Sequence, residues 1–214
     1  MNQEPVVLTT SDHVVLKGDF FPVNPKKVVI LVHPFNRDRS VFGALTRALV
    51  ANGFSVLSFD WRGHGESRAQ GFLANPQSLL PNDFLNMEKD LDAAVAFLRE
   101  KGFEAFFLVG GSIGANWAIM YPARHPGFFG SVALSPGLDF KGLKPKADAA
   151  KTRVPLLVIS SADDPYSFSS SKELVGVVTS EKEFVRLKTG GHATALLDGQ
   201  PELIPKIVEW IFNR

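Results

Sequence analysis

The 214-residue sequence contains no cysteine, which excludes disulfide scaffolding, thiol catalysis and cysteine-based metal sites. Histidine is scarce, five in all, and no two have the spacing of a metal-ligand pair, so no metal or cofactor is implied. Neither sign of charge is in excess. The 23 Lys and Arg against 22 Asp and Glu leave a formal net charge of +1, which gives no electrostatic ground for a nucleic-acid surface. Long apolar runs are also missing. The stretch at 28–32 is strand-sized, so no membrane span is expected. The opening Met1-Asn2-Gln3-Glu4-Pro5 has neither the basic nor the apolar region of a secretion signal, so a soluble, cytoplasmic chain is expected. There is no linker, repeat or low-complexity tract to divide the sequence. Its 45% hydrophobic content suits one domain over residues 1–214.

Within that domain, β-rich segments at 6–10 and 14–21 flank Ser11-Asp12-His13 and predict an N-terminal hairpin. The uninterrupted apolar run at 28–32 predicts a strand over 27–33 that is buried on both faces. Phe42, Leu45 and Leu49 recur at helical spacing, predicting a helix over 40–51 that stops near Asn52-Gly53. A strand at 54–59 leads into Asp60-Trp61-Arg62-Gly63. Asp83 reads as the N-cap of a helix over 84–101 with Leu91, Val95 and Leu98 on one face. Further strands are expected before Gly110 and at 130–135, 156–160 and 183–187. Helices are expected after Ser112, over 170–178 and over 201–212, with a polar segment running to Arg153. This alternation predicts a three-layer α/β/α sandwich around a mostly parallel sheet of about eight strands. Active groups in such sheets gather at the carboxyl ends of strands, so His33, Asp60, Ser112, Ser135, Asp164 and His192 should share one rim.

The most informative stretch is Gly110-Gly111-Ser112-Ile113-Gly114, a G-x-S-x-G pattern between an apolar strand and a helix. A serine hydroxyl is a poor nucleophile until a base removes its proton, and a tight turn flanked by small residues lifts it to where a base can reach. Candidates for the base and its orienting acid follow in chain order. Asp163 and Asp164 come after the strand at 156–160, and His192 comes after the strand at 183–187. A dinucleotide-binding turn would need glycines at the first, third and sixth positions, and Val109 occupies the first, so that reading is discounted.

Five features in order, His33-Pro34-Phe35, Asp60 to Ser67, Gly110 to Gly114, Ala162 to Pro165 and Gly191-His192, make the chain resemble an α/β-hydrolase along nearly its whole length. Small serine esterases, serine aminopeptidase-like and dienelactone hydrolase-like members of that fold are the likeness. The resemblance implies a serine hydrolase that cleaves a small or medium ester through an acyl-enzyme. Ser112 would be the nucleophile, His192 the base and Asp164, just before Pro165, the acid, with Asp163 bracing the loop. It also implies oxyanion donors at the backbone N–H groups of Phe35 and Ile113. Here the chain departs from the family, since the usual His-Gly is His33-Pro34 and proline has no N–H to donate. His33 and His64 are expected to brace loops, and Phe35, Phe72 and Phe168 are candidates for an acyl pocket. Residues 136–153 stand where the family commonly inserts a lid, and are too few for a large one. A thioesterase or small peptidase on the same three residues, or a non-catalytic binding protein of this fold, are the alternative functions.

Overall fold

The computed structural model describes residues 1–23, 26–68 and 74–214. Strands β1 (Glu4–Thr9) and β2 (Val15–Phe21) form the expected hairpin, followed by β3 (Lys27–Val32), α1 (Gly43–Ala51) and β4 (Ser55–Phe59). Then come α2 (Pro81–Glu100), β5 (Ala105–Gly111), α3 (Ile113–Arg124), β6 (Phe128–Leu134) and α4 (Lys146–Lys151). The chain ends with β7 (Leu156–Ser161), α5 (Pro165–Val177), β8 (Lys182–Leu187), α6 (Ala195–Gly199) and α7 (Leu203–Phe212). The eight strands form one sheet in the order β1-β2-β4-β3-β5-β6-β7-β8. β2 runs antiparallel to both β1 and β4, and every pairing from β4 through β8 is parallel.

Alternation along the buried strands divides the core in two. Val28, Ile30 and Val32 of β3 pack with Leu91 and Leu98 of α2 and Trp117 of α3. Val29 and Leu31 face the other way, onto Leu45 and Leu49 of α1 and Ile207 and Ile211 of α7. α5 covers the same side as α3, with Leu174 against Ala115 and Val158. Helices on both faces explain why these strands read as continuous apolar runs. No helix among the described residues is long and apolar enough to cross a membrane.

Several boundaries differ from the sequence expectation. α2 starts at Pro81, and Asp83 lies in its first turn, where its carboxylate accepts the Leu80 N–H at 2.7 Å. Proline needs no partner at a helix start, so Pro81 opens the helix and Asp83 completes its cap from inside. α5 starts at Pro165, five residues before the expected 170, with Asp164 as its N-cap. The segment read as polar connection contains α4, and α6 precedes the last helix.

A buried network fixes the loop after β4. Arg62 donates to Asp90 of α2 from its backbone N–H at 3.0 Å and from Nε at 2.9 Å, and to Asp12 in the hairpin turn at 2.9 Å. Burial pushes the Asp90 carboxyl up to about 6 against the pull of Arg62.

Candidate active site

Ser112 joins β5 to α3 at φ 54 and ψ −112. That is a costly backbone for a residue with a side chain, and surrounding packing must impose it. Gly110 and Gly114 make it attainable. A Cβ on Gly110 would overlap the Gly114 carbonyl, and a Cβ on Gly114 would overlap the Val32 carbonyl of β3. Strand, helix and neighbouring strand therefore meet backbone to backbone beneath the serine. The Ser112 N–H donates to the Leu134 carbonyl at 2.9 Å, and its side chain is partly exposed.

The rim assembles as the topology predicts. His33, Asp60, Ser112 and Ser135 directly follow β3, β4, β5 and β6, while Asp164 and His192 lie in the loops after β7 and β8. Of the two candidate acids, the structure brings Asp164 to the histidine, with His192 Nδ1 2.6 Å from Asp164 Oδ2. Burial alone would raise the Asp164 carboxyl. Hydrogen bonds from His192 and Ser167 outweigh that and hold it below the usual carboxylate range. Asp163 points the other way and accepts the N–H groups of Gly190 at 3.0 Å and Gly191 at 3.2 Å, bracing the turn ahead of His192.

Among the described residues no hydrogen bond joins Ser112 to His192, yet their loops touch. A Cβ on Gly111 would stand 3.3 Å from the Cβ of Ala193, the residue after His192. The imidazole is about half exposed, at 49%.

The backbone N–H of Ile113 opens α3 and that of Phe35 follows Pro34, and neither has an intramolecular acceptor among the described residues. The loop bearing Phe35 is held from beneath. His33 Nδ1 lies 2.8 Å from the Pro34 carbonyl, while Nε2 faces the Trp61 N–H at 3.0 Å. Trp61 Nε1 donates back to the His33 carbonyl at 2.9 Å. An N–H acceptor at Nε2 means that His33 is neutral with its proton on Nδ1. The Phe35 ring packs on His64, Phe84 and Phe140 at centroid distances of 5.5, 5.6 and 5.7 Å. Phe168 contacts Phe184 instead, and Phe72 lies outside the described residues.

Burial pushes the His33 imidazole down to about 3 and lowers His64 as well. Both therefore withhold a proton that the unfolded chain takes up below about pH 6.5. Their contribution to stability is complete above that pH and is lost as the pH falls below it, for His33 down to about 3. Asp90, raised in the fold, works in the opposite sense between about pH 4 and 6. Proton NMR should show the His33 ring as the neutral Nδ1–H form down to about pH 4 while the protein stays folded. A His33 titration near 6.5 would contradict this geometry.

Three residues given no role from the sequence bear on the site. Ser167 donates its N–H to Asp164 Oδ1 at 3.4 Å and places its hydroxyl 3.4 Å from His192 Nδ1. Asp-Pro followed by serine at the third helical position is the signal for it. Tyr166 bonds the backbone of Asp139 in both directions, and Asn116 Oδ1 accepts the Gly137 N–H at 2.9 Å, so residues 137–139 are pinned between α3 and α5. A cavity of about 610 Å³ beside α1, lined by Asp19, Arg39, Asp60 and Glu66, contains none of Ser112, Asp164, His192 or Phe35.

This strand order, with a serine elbow after β5, is that of an α/β-hydrolase. The chain belongs to the hydrolase family described as serine aminopeptidase, S33, whose model matches residues 23–147. It is 28% identical over 220 aligned residues to an uncharacterized protein of Mycobacterium tuberculosis, covering 91% of this chain and 74% of that one. The Pyrococcus furiosus esterase Pf2001 superposes with a TM-score of 0.82 at 19% identity, covering 99% of this chain and 92% of that one. A dienelactone hydrolase from Anabaena variabilis gives 0.79 at 16% identity, covering 99% and 97%.

Proposed function

We propose that the chain is a serine hydrolase that cleaves small or medium carboxylic esters through an acyl-enzyme. The observation carrying this reading is the 2.6 Å Asp164–His192 pair beside a serine held at φ 54. In the first half-reaction Ser112 Oγ bonds to the acyl carbon while His192 takes the hydroxyl proton. The N–H groups of Phe35 and Ile113 receive the charge that develops on the carbonyl oxygen. Collapse breaks the acyl–oxygen bond, and the proton passes from His192 to the departing alkoxide. Water then repeats the sequence and releases the acid. Asp164 keeps the imidazole in the required tautomer and stabilises its charged form.

Residues 136–153 act in this reading as a short fixed cap on a single domain. The Asn116 and Tyr166 hydrogen bonds that pin residues 137–139 support that role. A fixed cap favours soluble substrates over emulsified long-chain esters. The family description favours a second reading, hydrolysis of an aminoacyl amide on the same residues.

Fluorophosphonate labelling of wild type and Ser112→Ala tests the nucleophile, and a panel of short p-nitrophenyl esters, thioesters and aminoacyl anilides tests the substrate class. Labelling confined to wild type, with turnover of the short esters, is expected. Labelling without turnover of any substrate would favour a binding protein, and preference for the anilides would favour the peptidase.

A further inference from the structure

Two consecutive residues at the end of β6 hold the loops on which the proposed chemistry depends. The Leu134 carbonyl accepts the Ser112 N–H at 2.9 Å, and the Ser135 hydroxyl accepts the Ala193 N–H, also at 2.9 Å. Ala193 directly follows His192. Ser135 is 1% exposed, and its own N–H donates to the Ile159 carbonyl of β7 at 2.8 Å, so the hydroxyl stands on a fixed backbone. Ser135 and Ala193 both have φ 55, in the left-handed region that side-chain-bearing residues rarely adopt. Two facing residues in that conformation, joined by a buried hydrogen bond, make a specific fastening.

The other ties on the histidine loop run elsewhere. Asp163 holds Gly190 and Gly191, Asp164 holds the imidazole, and both belong to the loop after β7. Among the described residues, the Ser135 hydroxyl provides the side-chain hydrogen bond that fastens the loop to β6, the strand that also receives the Ser112 amide. Without it, the aspartate and histidine loops keep each other but lose their register with the serine.

We propose that Ser135 is a positioning residue, whose hydroxyl sets the separation of the His192 imidazole from Ser112. The proposal rests on the roles given above to Ser112 and His192. It also accounts for the residue type. The site needs an acceptor on a short side chain, and alanine would leave the buried Ala193 N–H without one. Glycine would suit φ 55 better than serine but carries no hydroxyl.

That last contrast supplies the test, because Ser135→Gly removes the fastening while relieving the backbone. Ser135→Gly and Ser135→Ala should each lower kcat for a short p-nitrophenyl ester by about 10- to 100-fold, with KM within about twofold. Ala193 amide exchange should accelerate in both, although Ser135→Gly melts at or above the temperature of Ser135→Ala. Wild-type kcat in Ser135→Gly, or activity that follows melting temperature across the two variants, would overturn the proposal. So would an unchanged Ala193 exchange rate. Ser112→Ala, measured alongside, separates the two failures. Activity surviving there removes the nucleophile and the positioning role with it, while Ala193 exchange still reports the hydrogen bond itself.

Discussion

Asp164→Asn should lower kcat by about 10³- to 10⁴-fold, whereas Asp163→Asn should lower it by no more than about tenfold. The two carboxylates are neighbours in sequence with different tasks. Asp164 meets His192 Nδ1 at 2.6 Å, and an amide there neither selects the reactive tautomer nor compensates an imidazolium. Asparagine is as good an N-cap as aspartate, so α5 should keep its start and the variant its stability. Asp163 accepts N–H groups from Gly190 and Gly191, and an asparagine carbonyl retains part of that role. Steady-state kinetics on a short p-nitrophenyl ester, with thermal melting as the control for folding, check the pair. Equal losses, or the reverse order, would move the acid to Asp163 or remove it from the mechanism.

The largest effect on stability is expected from Gly114→Ala. Its Cβ would overlap the Val32 carbonyl, which is backbone in the middle of the sheet and has no rotamer with which to yield. Overpacking of this kind typically costs about 1–3 kcal/mol where side chains can shift, and more where they cannot. Against a total of about 5–15 kcal/mol, the loss should be visible as poor soluble yield and an early urea midpoint. Gly110→Ala should behave alike, since its Cβ would meet the Gly114 carbonyl. Gly176→Ala is the control. Nothing lies within 4 Å of a Cβ there, and the site is in the last turn of α5, so no loss and a gain of at most about 0.5 kcal/mol are expected. A Gly114→Ala protein as stable as wild type would mean that the elbow is packed less tightly than described.

The fold was legible wherever burial is two-sided. Runs such as 28–32 and 106–109 admit few readings, and the strand–helix alternation around them leaves one architecture. Short or locally capped elements were not legible. α4 and α6 have six and five residues, too few for a helical period to register. The start of α5 was hidden because the stretch before residue 170, with Ser167 and Ser169, read as polar loop, although Pro165 and the Asp164 cap begin the helix there. That start also separates the two aspartates, because the N-cap carboxylate turns toward the helix and His192 while Asp163 turns toward Gly190. The candidate nucleophile and base could be named from order and context, which left Asp163 and Asp164 both open as the acid until the family resemblance pointed to Asp164. Ser135 could be placed on the rim but given no task, since its task depends on a φ angle and on a partner 58 residues away.

An open sheet exposes unpaired peptide groups along its outermost strands, which here are β1 and β8. Each border carries its own deterrent against a ninth strand. On β1, Pro5 breaks the row of donors, so an incoming chain cannot complete a continuous ladder. On β8, Lys182 and Arg186 are exposed, and Glu183 is paired to Lys206 at 2.7 Å, setting charge where a guest strand would lie. These features oppose amyloid-like growth from either flank, so concentrated stocks should resist fibril formation as long as the sheet itself stays folded.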